Sequence, residues 1–279
     1  MIRVFPRKTN LTPTDKNAFV GFPPLQKYDK INISVTFSYD KSFAEEIADY
    51  CDFLGDVSIG GPAYGDPGGD FVPGLYLKHG SVFTSRGCPN NCWFCDVPKR
   101  EGGIRELPIT NGWNIMDSNI LACSKKHFSN VCNMLKRQSQ KAIFTGGLEA
   151  KRLTEWHVTK LWELRPGWMY FAYDTPDDLE PLIEAGKKMR YADFTRYHLR
   201  CFVLIGYPKD TFELAEKRLI QAWTAGFMPF AMLWKNKQGD ENKKWRQFQR
   251  TWTRPAGLKA YIKDLYIKEK RTKSIKNEL

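Results

Sequence analysis

The sequence lacks a long hydrophobic run. No uninterrupted apolar stretch approaches the roughly 20 residues that a helix needs to span a bilayer, so we expect no membrane segment. The residues from Met1 to Lys8 contain no apolar core followed by a cleavage site, and they do not resemble a secretory signal. Together these absences predict a cytoplasmic protein.

Histidines are few, and the cysteines show no sign of a disulfide framework. The four histidines follow no metal-binding spacing and are assigned no role. The seven cysteines are odd in number, which in the absence of a signal peptide indicates reduced thiols and not a disulfide framework. Three of them are clustered. The four scattered ones are interpreted as small buried hydrophobic residues: Cys51, Cys123, Cys132 and Cys201.

Acidic residues are too few to balance the basic ones. The chain has 31 Asp and Glu against 43 Lys and Arg, a formal net charge of +12. From Lys235 to Leu279 there are 14 Lys and Arg against 5 Asp and Glu. Aromatic residues such as Trp245 and Tyr261 lie among these cations. The tail therefore predicts either contact with nucleic acid or another polyanion, or a solvated helical face that keeps the protein soluble.

What the sequence does contain is enough apolar material for a packed core. It is 42% hydrophobic and 14% aromatic, which excludes general disorder. Residues 1–30 show no clear period and predict an irregular arm. Residues 31–61 read as strand, helix and strand, a small β-α-β unit. A Gly- and Pro-rich loop follows at 60–74.

From about Lys78 onward, strand and helix patterns alternate. Helical stretches are predicted near 120–138, 152–164, 176–190 and 210–225. The predicted strands are Ser81–Thr84, Trp113–Asp117, Lys141–Thr145, Trp168–Tyr173, Leu199–Gly206 and Met228–Trp234. Repeated βα units without hairpin signals favour a parallel sheet with helical crossovers.

The fold class that these patterns predict is α/β. We expect a partial (β/α)6 TIM-like barrel with a small N-terminal β-α-β appendage and a basic helical C-terminal tail. The predicted domains are 1–77 for the arm and appendage, 78–235 for the barrel and 236–279 for the tail. Ligands of such folds bind at the carboxyl ends of the strands.

Cys88, Cys92 and Cys95 are spaced C-x3-C-x2-C directly after the first predicted barrel strand. Three thiolates so close in sequence can point at one centre, and thiolates suit iron–sulfur clusters or zinc. A structural zinc ion takes four ligands, usually as two spaced pairs. The sequence has no second such pair nearby, so zinc is the weaker interpretation. Three ligands would leave one iron of a cubane cluster open for chemistry.

This segment resembles the cluster loop of the radical S-adenosylmethionine superfamily. The likeness rests on the three cysteines, on Phe94 before the last of them, and on the flanking runs Thr84-Ser85-Arg86-Gly87 and Asp96-Val97-Pro98. These runs are similar to those of the methylthiotransferase and cobalamin-binding branches. The resemblance covers residues 78–235.

The resemblance implies a 4Fe-4S cluster on Cys88, Cys92 and Cys95, with S-adenosylmethionine bound at the open iron. It implies that one electron cleaves the sulfonium to a 5′-deoxyadenosyl radical, which abstracts hydrogen from a substrate. A reductant such as flavodoxin or ferredoxin and sensitivity to oxygen follow from the same chemistry. The sequence does not indicate whether the substrate is an RNA, a peptide or a small metabolite.

Polar residues after the next strands resemble cofactor-binding elements of the family. Asp117-Ser118-Asn119 is similar to an Asp-Asp-Asn element, with Ser118 in place of the second Asp. Asp117 and Asn119 are thereby implied to hold the methionine ammonium, and Phe94 to border the cofactor. The alternative for Asp117 or Asn119 is an N-cap of the helix at 120–138.

Gly146, Gly147 and Glu149 resemble the family's Gly-Gly-Glu motif, with Leu148 inserted. Adjacent glycines let a backbone approach a ligand closely, and Glu149 is suited to a cationic amine. There are two alternatives. Glu149 binds substrate instead, or the segment is a simple turn with a capping Glu.

Asp174 and Gly206 end the fourth and fifth predicted strands. The resemblance implies that Asp174 meets the ribose hydroxyls. An N-cap for the helix near Pro176 is the alternative. Gly206 lies in a run similar to the stretch that flanks adenine, although a buried parallel strand would look equally apolar.

Two elements of related branches are missing. No Asp-x-His-x-x-Gly element is present, so we predict no cobalamin. Only Cys51 precedes Cys88, so a second N-terminal cluster is not expected in the same form, and Cys123, Cys132 and Cys201 follow no defensible cluster pattern. The alternative function is a non-catalytic nucleic-acid-binding module stabilised by zinc.

Overall fold

The computed structural model describes residues 1–236, 238–239, 242–254, 257–258 and 260–262. The chain divides into two compact units. The first holds residues 1–169 and the described residues 238–239, and the second holds residues 170–236 and the described residues after 240. This division differs from the predicted domains at 1–77, 78–235 and 236–279, and those remain predictions.

The first unit opens with a four-stranded parallel sheet in the order β2-β1-β3-β4. Its core contains Val4, Ile31, Ile33 and Ile47, all buried. The alternation of apolar and polar residues in Ile31–Ser34 places every second side chain in this core. Its elements are β1 (Ile2–Phe5), β2 (Ala18–Val20), β3 (Lys30–Ser34), α1 (Lys41–Cys51) and β4 (Asp56–Gly60).

The expectation of an irregular arm over residues 1–30 is wrong. Both β1 and β2 lie within it, and Arg3, Val4 and Phe5 pair with residues 18–20. Strands of four and three residues are too short to show a period, and Pro6 follows the first of them directly. The β-α-β unit predicted at 31–61 is present as β3, α1 and β4, but within this larger sheet.

The rest of the first unit contains a second parallel arrangement, in which β8 lies between β5 and β9. The N-cap Ser124 accepts a hydrogen bond from the backbone of His127 and starts α3, whose buried face includes Phe128 and Val131. The elements are β5 (Ser81–Val82), β6 (Ser85–Arg86), α2 (Val97–Glu101), β7 (Arg105–Glu106), β8 (Asn114–Ile115), α3 (Lys125–Lys136), β9 (Ile143–Leu148) and α4 (Glu155–Leu164).

Strands β6 and β7 form a two-residue antiparallel ladder that the sequence did not indicate. Ser85 pairs with Glu106 and Arg86 with Arg105. The 18-residue segment between these strands carries the three clustered cysteines, so the ladder closes the base of the loop. We refer to residues 87–104 as the cysteine loop.

The second unit begins within β10 and continues the βα alternation. Strands β11 and β12 are parallel and in register from Arg200 with Met228 to Ile205 with Leu233. Tyr173, after β10, donates its N–H to the Phe202 carbonyl at 2.8 Å. The elements are β10 (Trp168–Ala172), α5 (Leu179–Tyr191), β11 (Leu199–Ile205), α6 (Phe212–Thr224), β12 (Met228–Leu233) and α7 (Lys243–Trp252).

The structure confirms a mixed α/β fold with parallel sheets. Each of the six strands predicted after residue 78 is present, and the four predicted helical stretches contain α3, α4, α5 and α6. Closure into a partial barrel stays a prediction. Helix α7 lies in the basic tail, but the tail from 263 to 279 falls outside the described residues. No helix in the described part of the chain is long and apolar enough to cross a membrane.

Candidate functional site

Cys88, Cys92 and Cys95 all lie in the cysteine loop, where each is half-buried and forms no disulfide. The Cys88 N–H donates to the Gly102 carbonyl at 3.1 Å, and the Cys95 N–H donates to the Cys92 carbonyl at 3.1 Å. Within the described residues, no three His, Cys, Asp or Glu side chains are already arranged to hold a metal ion. The three candidate ligands thus lie in one loop, but their side chains are not arranged around a metal ion.

The chemistry of the donor set fits an iron–sulfur cluster. Its three sulfur donors are soft ligands. Burial raises the pKa of the Cys95 thiol, while a hydrogen bond from the Val97 backbone and the charge of Arg100 act in the opposite direction. An N–H donor and a cation beside a sulfur favour the thiolate, which is the form that binds metal.

Phe94 is half-buried and contacts Trp93 edge-on, with ring centroids 5.3 Å apart. Trp93 is 57% exposed. The two rings thus give the cysteine loop an apolar surface between its second and third cysteines. Whether Phe94 borders a cofactor stays a prediction.

Asp117 is fully buried at the end of β8 and points back toward the start of the cysteine loop. Its Oδ1 accepts the Thr84 N–H at 2.7 Å, and its Oδ2 accepts the hydroxyls of Thr84 at 2.6 Å and Ser85 at 2.7 Å. Burial raises the pKa of this carboxyl against these hydrogen bonds, which lower it. Both oxygens are therefore engaged with the protein, so Asp117 fixes the segment that leads into the cysteines.

Asn119 is the residue that connects the cysteine loop to β9. Its Nδ2 donates to Glu149 Oε2 at 2.6 Å and lies 3.5 Å from the Cys88 sulfur. Its Oδ1 is buried and has no hydrogen-bond partner among the residues that the structure describes. A buried, unpaired carbonyl oxygen is costly, and a ligand N–H would satisfy it. The side-chain amide does not cap the helix, because Ser124 caps α3 and Asn119 makes no capping hydrogen bond to the turn after it.

The same Glu149 oxygen, Oε2, also accepts a hydrogen bond from Arg152 Nε at 2.6 Å. The structure thus places the Glu149 carboxylate, the Asn119 side-chain amide and the Cys88 thiol together. This arrangement is suited to an ammonium group, which needs several oxygen acceptors. The inserted Leu148 is buried and belongs to the core.

Gly146 and Gly147 differ in their surroundings. A Cβ on Gly146 would lie 2.1 Å from the Asp117 carbonyl oxygen, so glycine is needed there for the close approach of two backbones. Gly147 has a φ of +131°, and its missing Cβ would meet only the Ser118 oxygen at 3.8 Å. Gly146 is therefore needed for the close approach of two backbones, whereas Gly147 is favoured by its positive φ and has open space where a Cβ would lie.

Asp174 lies in the second unit, and its Oδ1 accepts the Leu204 N–H at 2.9 Å. Burial raises the pKa of this carboxyl to about 6. Asp174 is not an N-cap, because Thr175 and Asp178 form the capping box of the following turn. The alternative that assigned Asp174 this role is wrong.

Gly206 has a φ of +71° and donates its N–H to Asp210 Oδ2 at 2.8 Å. The same oxygen accepts a hydrogen bond from Arg218 at 2.8 Å, and Arg218 also donates to the Leu204 carbonyl at 2.9 Å. Arg218 and Asp210 are both buried. This ion pair fixes the turn after β11.

The scattered cysteines behave largely as predicted. Cys51, Cys132 and Cys201 are buried, and Cys123 is half-buried. Burial raises the pKa of Cys123 and of Cys132 to about 12, and raises that of Cys201 well above its ordinary value. The burial of Cys51, Cys132 and Cys201 fits the interpretation of the scattered cysteines as small hydrophobic residues.

The basic helix α7 turns its aromatic residues inward. Trp245 and Phe248 pack against Phe212, with centroids 4.2 and 5.5 Å away, and Trp252 is fully buried. Trp252 is therefore not available for stacking on bases, whereas Trp245 and Phe248 are half-buried, and contact with nucleic acid stays a prediction. The exposed residues of α7 include the basic side chains Lys243, Lys244, Arg246 and Arg250.

Several residues that shape the site carried no sequence signal. Arg100 and Glu101 lie within the cysteine loop, and Arg218 follows β11 by 13 residues. A buried charge looks like any surface charge in a sequence without alignment. The polar run before Gly102 and Gly103 gave no sign of a buried carboxylate.

Comparisons with known proteins agree with the cysteine motif. No protein-family model matches the chain. The chain is 28% identical over 134 residues to the ribosomal protein uS12 methylthiotransferase RimO of Mannheimia succiniciproducens, and 29% identical over 134 residues to the RimO of Actinobacillus succinogenes. Each match covers 44% of this chain and 29% of the relative, so the chain spans under a third of the curated relatives it matches.

The solved structures similar to this chain include the radical S-adenosylmethionine methyltransferase TsrM from Kitasatospora setae. With cobalamin and a 4Fe-4S cluster bound, TsrM aligns over 83% of this chain and 74% of its own, at 10% identity and a TM-score of 0.59. With tryptophan substrate and the analogue aza-SAM bound, it aligns over 76% and 63%, at 11% identity and a TM-score of 0.55. At such identities the likeness shows the fold.

The α/β fold with parallel sheets and the three-cysteine loop are the two features on which the class of this protein is judged. The two comparisons support a link to the radical S-adenosylmethionine superfamily, as the motif predicted. The predicted absence of cobalamin stays a prediction.

Proposed function

We propose that this protein is a radical S-adenosylmethionine enzyme that reductively cleaves S-adenosylmethionine and abstracts hydrogen from a substrate. The observation that carries the proposal is the meeting of Asn119 and Glu149 beside the Cys88 thiol, with the Asn119 oxygen buried and unpaired. Both residues were implied as cofactor ligands by the family resemblance. Their contact beside a cysteine is what an amine-binding site next to a cluster requires.

The cluster is held by Cys88, Cys92 and Cys95. When bound, the 4Fe-4S cluster supplies one electron to the sulfonium of S-adenosylmethionine and an open iron for its amino and carboxylate groups. The protein contributes three thiolates, with Arg100 nearby favouring that of Cys95. Trp93 and Phe94 contribute apolar surface that limits access of water.

The S-adenosylmethionine ammonium is held by Asn119 Oδ1 and the Glu149 carboxylate. Arg152 orients Glu149 through its 2.6 Å hydrogen bond. Asp117 acts one step further away, since its oxygens hold Thr84 and Ser85 in front of the cysteine loop. Gly147 leaves room for the cofactor to approach the backbone.

Asp174 and Gly206 are proposed for the nucleoside part. The Leu204 N–H occupies Oδ1 of Asp174 and leaves Oδ2 for a ribose hydroxyl. The turn at Gly206, fixed by Asp210, presents backbone atoms for adenine. A partial (β/α)6 barrel is the architecture that we propose for this chain.

Two kinds of partner are proposed. The electron must come from a reductant such as flavodoxin or ferredoxin. The basic side chains of α7 supply a surface for nucleic acid or another polyanion, and a location in the cytoplasm fits both partners. The zinc-stabilised module is not favoured, because the matched proteins are a methylthiotransferase and a methyltransferase.

The test is anaerobic reconstitution with iron and sulfide. The proposal expects a brown protein with four iron atoms per chain, as a 4Fe-4S cluster requires, and release of 5′-deoxyadenosine from S-adenosylmethionine with dithionite. Cys92→Ala should abolish both, whereas Cys132→Ala, which removes a buried thiol outside the loop, should retain both. A colourless protein with stoichiometric zinc would overturn the proposal.

A further inference from the structure

The cysteine loop is fastened at its base by main-chain hydrogen bonds. The Leu107 N–H donates to the Thr84 carbonyl at 2.9 Å, and the β6–β7 ladder continues through the pairs of Ser85 and Arg86. On the other side of Gly87, the Cys88 N–H donates to the Gly102 carbonyl at 3.1 Å. Main-chain acceptors therefore serve the backbone on both sides of Gly87.

At Gly87 the acceptor is a side chain. Its N–H donates to Glu101 Oε2 at 2.9 Å. Gly87 has a φ of +83°, and a Cβ there would lie 2.2 Å from the Gly103 carbonyl oxygen. The backbone bends sharply at this position, so the regular ladder cannot continue. The Glu101 carboxylate takes the place of a main-chain acceptor directly before Cys88.

Glu101 is held in turn by two guanidinium groups. Its side chain is 3% exposed, its Oε1 accepts from Arg100 Nη2 at 2.6 Å, and Arg86 Nη1 lies 3.9 Å from the same oxygen. Arg86 stacks on Phe83, with Cζ 3.8 Å from the ring centroid. Burial lowers the pKa of Arg86, and the charge of Glu101 opposes this. A buried carboxylate persists only when it is paired in this way.

The arrangement gives Glu101 a task that a solvent-exposed carboxylate would not need. It connects the C-terminal end of α2 to the residue in front of the first cysteine, and so closes the cysteine loop on itself. The Nε atoms of Arg86 and Arg100 are buried without a hydrogen-bond partner. The two guanidinium groups therefore lie next to Glu101 although this position leaves one N–H of each without a hydrogen bond.

We propose that Glu101 is a positioning residue for the cluster, which fixes the Gly87 amide and thereby the direction of Cys88. This inference rests on the proposed function, because it assumes that Cys88 is a ligand. Residues that hold metal ligands in place through hydrogen bonds typically change metal affinity by roughly 10- to 100-fold when replaced. Glu101 acts through Gly87 and does not touch the metal.

The test compares three variants of the full chain. Glu101→Met removes the acceptor and the charge, Glu101→Gln keeps an acceptor oxygen for Gly87, and Asp96→Asn removes a charge from an exposed position in the same loop, where Asp96 is 85% exposed. Each is reconstituted and assayed for iron content, for the rate of iron loss to a chelator and for the electron paramagnetic resonance spectrum of the reduced cluster. Hydrogen exchange of the apo-protein reports on residues 84–95 without the cluster.

We expect Glu101→Met to lose iron roughly 10- to 100-fold faster than the unmodified protein, with an altered spectrum and faster exchange over residues 84–95. Glu101→Gln should restore most of each property, and Asp96→Asn should match the unmodified protein. If Glu101→Met is unfolded by circular dichroism, the double variant Arg100→Met/Glu101→Met, which removes both members of the ion pair, replaces it.

Two outcomes overturn the inference. One is a Glu101→Met or double variant with unchanged iron release, spectrum and exchange. The other is a Glu101→Gln protein as impaired as Glu101→Met, which would assign the effect to charge and not to the hydrogen bond with Gly87. Failure of the proposed function is a different result, because the unmodified protein would then take up no cluster at all.

Discussion

The side-chain amide of Asn119 donates a 2.6 Å hydrogen bond to the carboxylate of Glu149, which lies 30 residues further along the chain. The same nitrogen is 3.5 Å from the sulfur of Cys88. One amide thus connects the segment after β8, the segment after β9 and the cysteine loop. The amide oxygen, buried and unpaired, is left to accept a hydrogen bond from a ligand.

Asn119→Ala should weaken binding of S-adenosylmethionine while leaving the cluster in place. A hydrogen bond to a charged group contributes about 1.5–3 kcal/mol, so the dissociation constant should rise by about tenfold or more. Calorimetric titration of the reconstituted protein measures it. Asn111→Ala, which removes an exposed amide from the same unit, is the control. Equal affinities for both variants would contradict the assignment.

Gly87→Ala should prevent the cysteine loop from closing. A left-handed backbone costs a non-glycine residue about 1–2 kcal/mol, and the added Cβ would also clash with the Gly103 carbonyl. We expect lower stability in denaturant and little bound iron. Gly103→Ala is the matched control, because a Cβ there meets nothing within 4 Å. A reconstituted Gly87→Ala protein with full iron content would show that the loop tolerates another path.

Asp174→Asn should stabilise the protein at pH 7.5 but not at pH 4. Burial raises the pKa of Asp174 to about 6 in the folded state, above the ordinary value of 3.8 for an exposed Asp. The contribution of the protonated form is therefore present below about pH 4 and is lost as the pH rises through 6. The amide keeps an oxygen for the Leu204 N–H but cannot ionise.

Thermal unfolding of both proteins across this pH range gives the comparison for Asp174. The gain of the variant should appear between pH 4 and 7. A variant that is less stable than the unmodified protein at pH 7.5 would show that the ionised carboxylate is favoured by its surroundings.

Arg218→Met should destabilise the second unit strongly. Breaking a buried ion pair by removing one partner costs about 3–5 kcal/mol, and here it also removes the hydrogen bond to the Leu204 carbonyl. Adding Asp210→Asn should recover a large part of the loss, since the uncompensated charge is gone. Denaturant unfolding of the single and double variants tests this. Additive losses would mean that the two residues do not act as a pair.

Strand and helix order could be predicted because it depends on local periodicity. The runs that became β9, β11 and β12 are apolar and bounded by turn residues, and the parallel arrangement follows from the helices between them. The strands β1 and β2 could not be predicted, since three or four residues hold no period. The β6–β7 ladder was missed for the same reason.

The candidate site could be predicted only in part. The cysteines, Asp117, Asn119 and Glu149 were proposed from motifs, and their roles stay predictions. What the motifs did not show is that Asp117 holds Thr84 and Ser85. The aromatic residues of α7 were expected to be available to a partner, yet Trp252 is buried in their own cluster. A motif shows which side chain is present and not which neighbour takes up its hydrogen bonds.

The sequence by itself determined the three thiols, their spacing and the succession of strands and helices, because these depend on residues close together in the chain. Only the tertiary structure decided that Glu101 meets the Gly87 amide and that Asn119 meets Glu149. Partners 14 and 30 residues apart are selected by how the backbone folds between them. Burial then makes each such hydrogen bond costly to leave unmade.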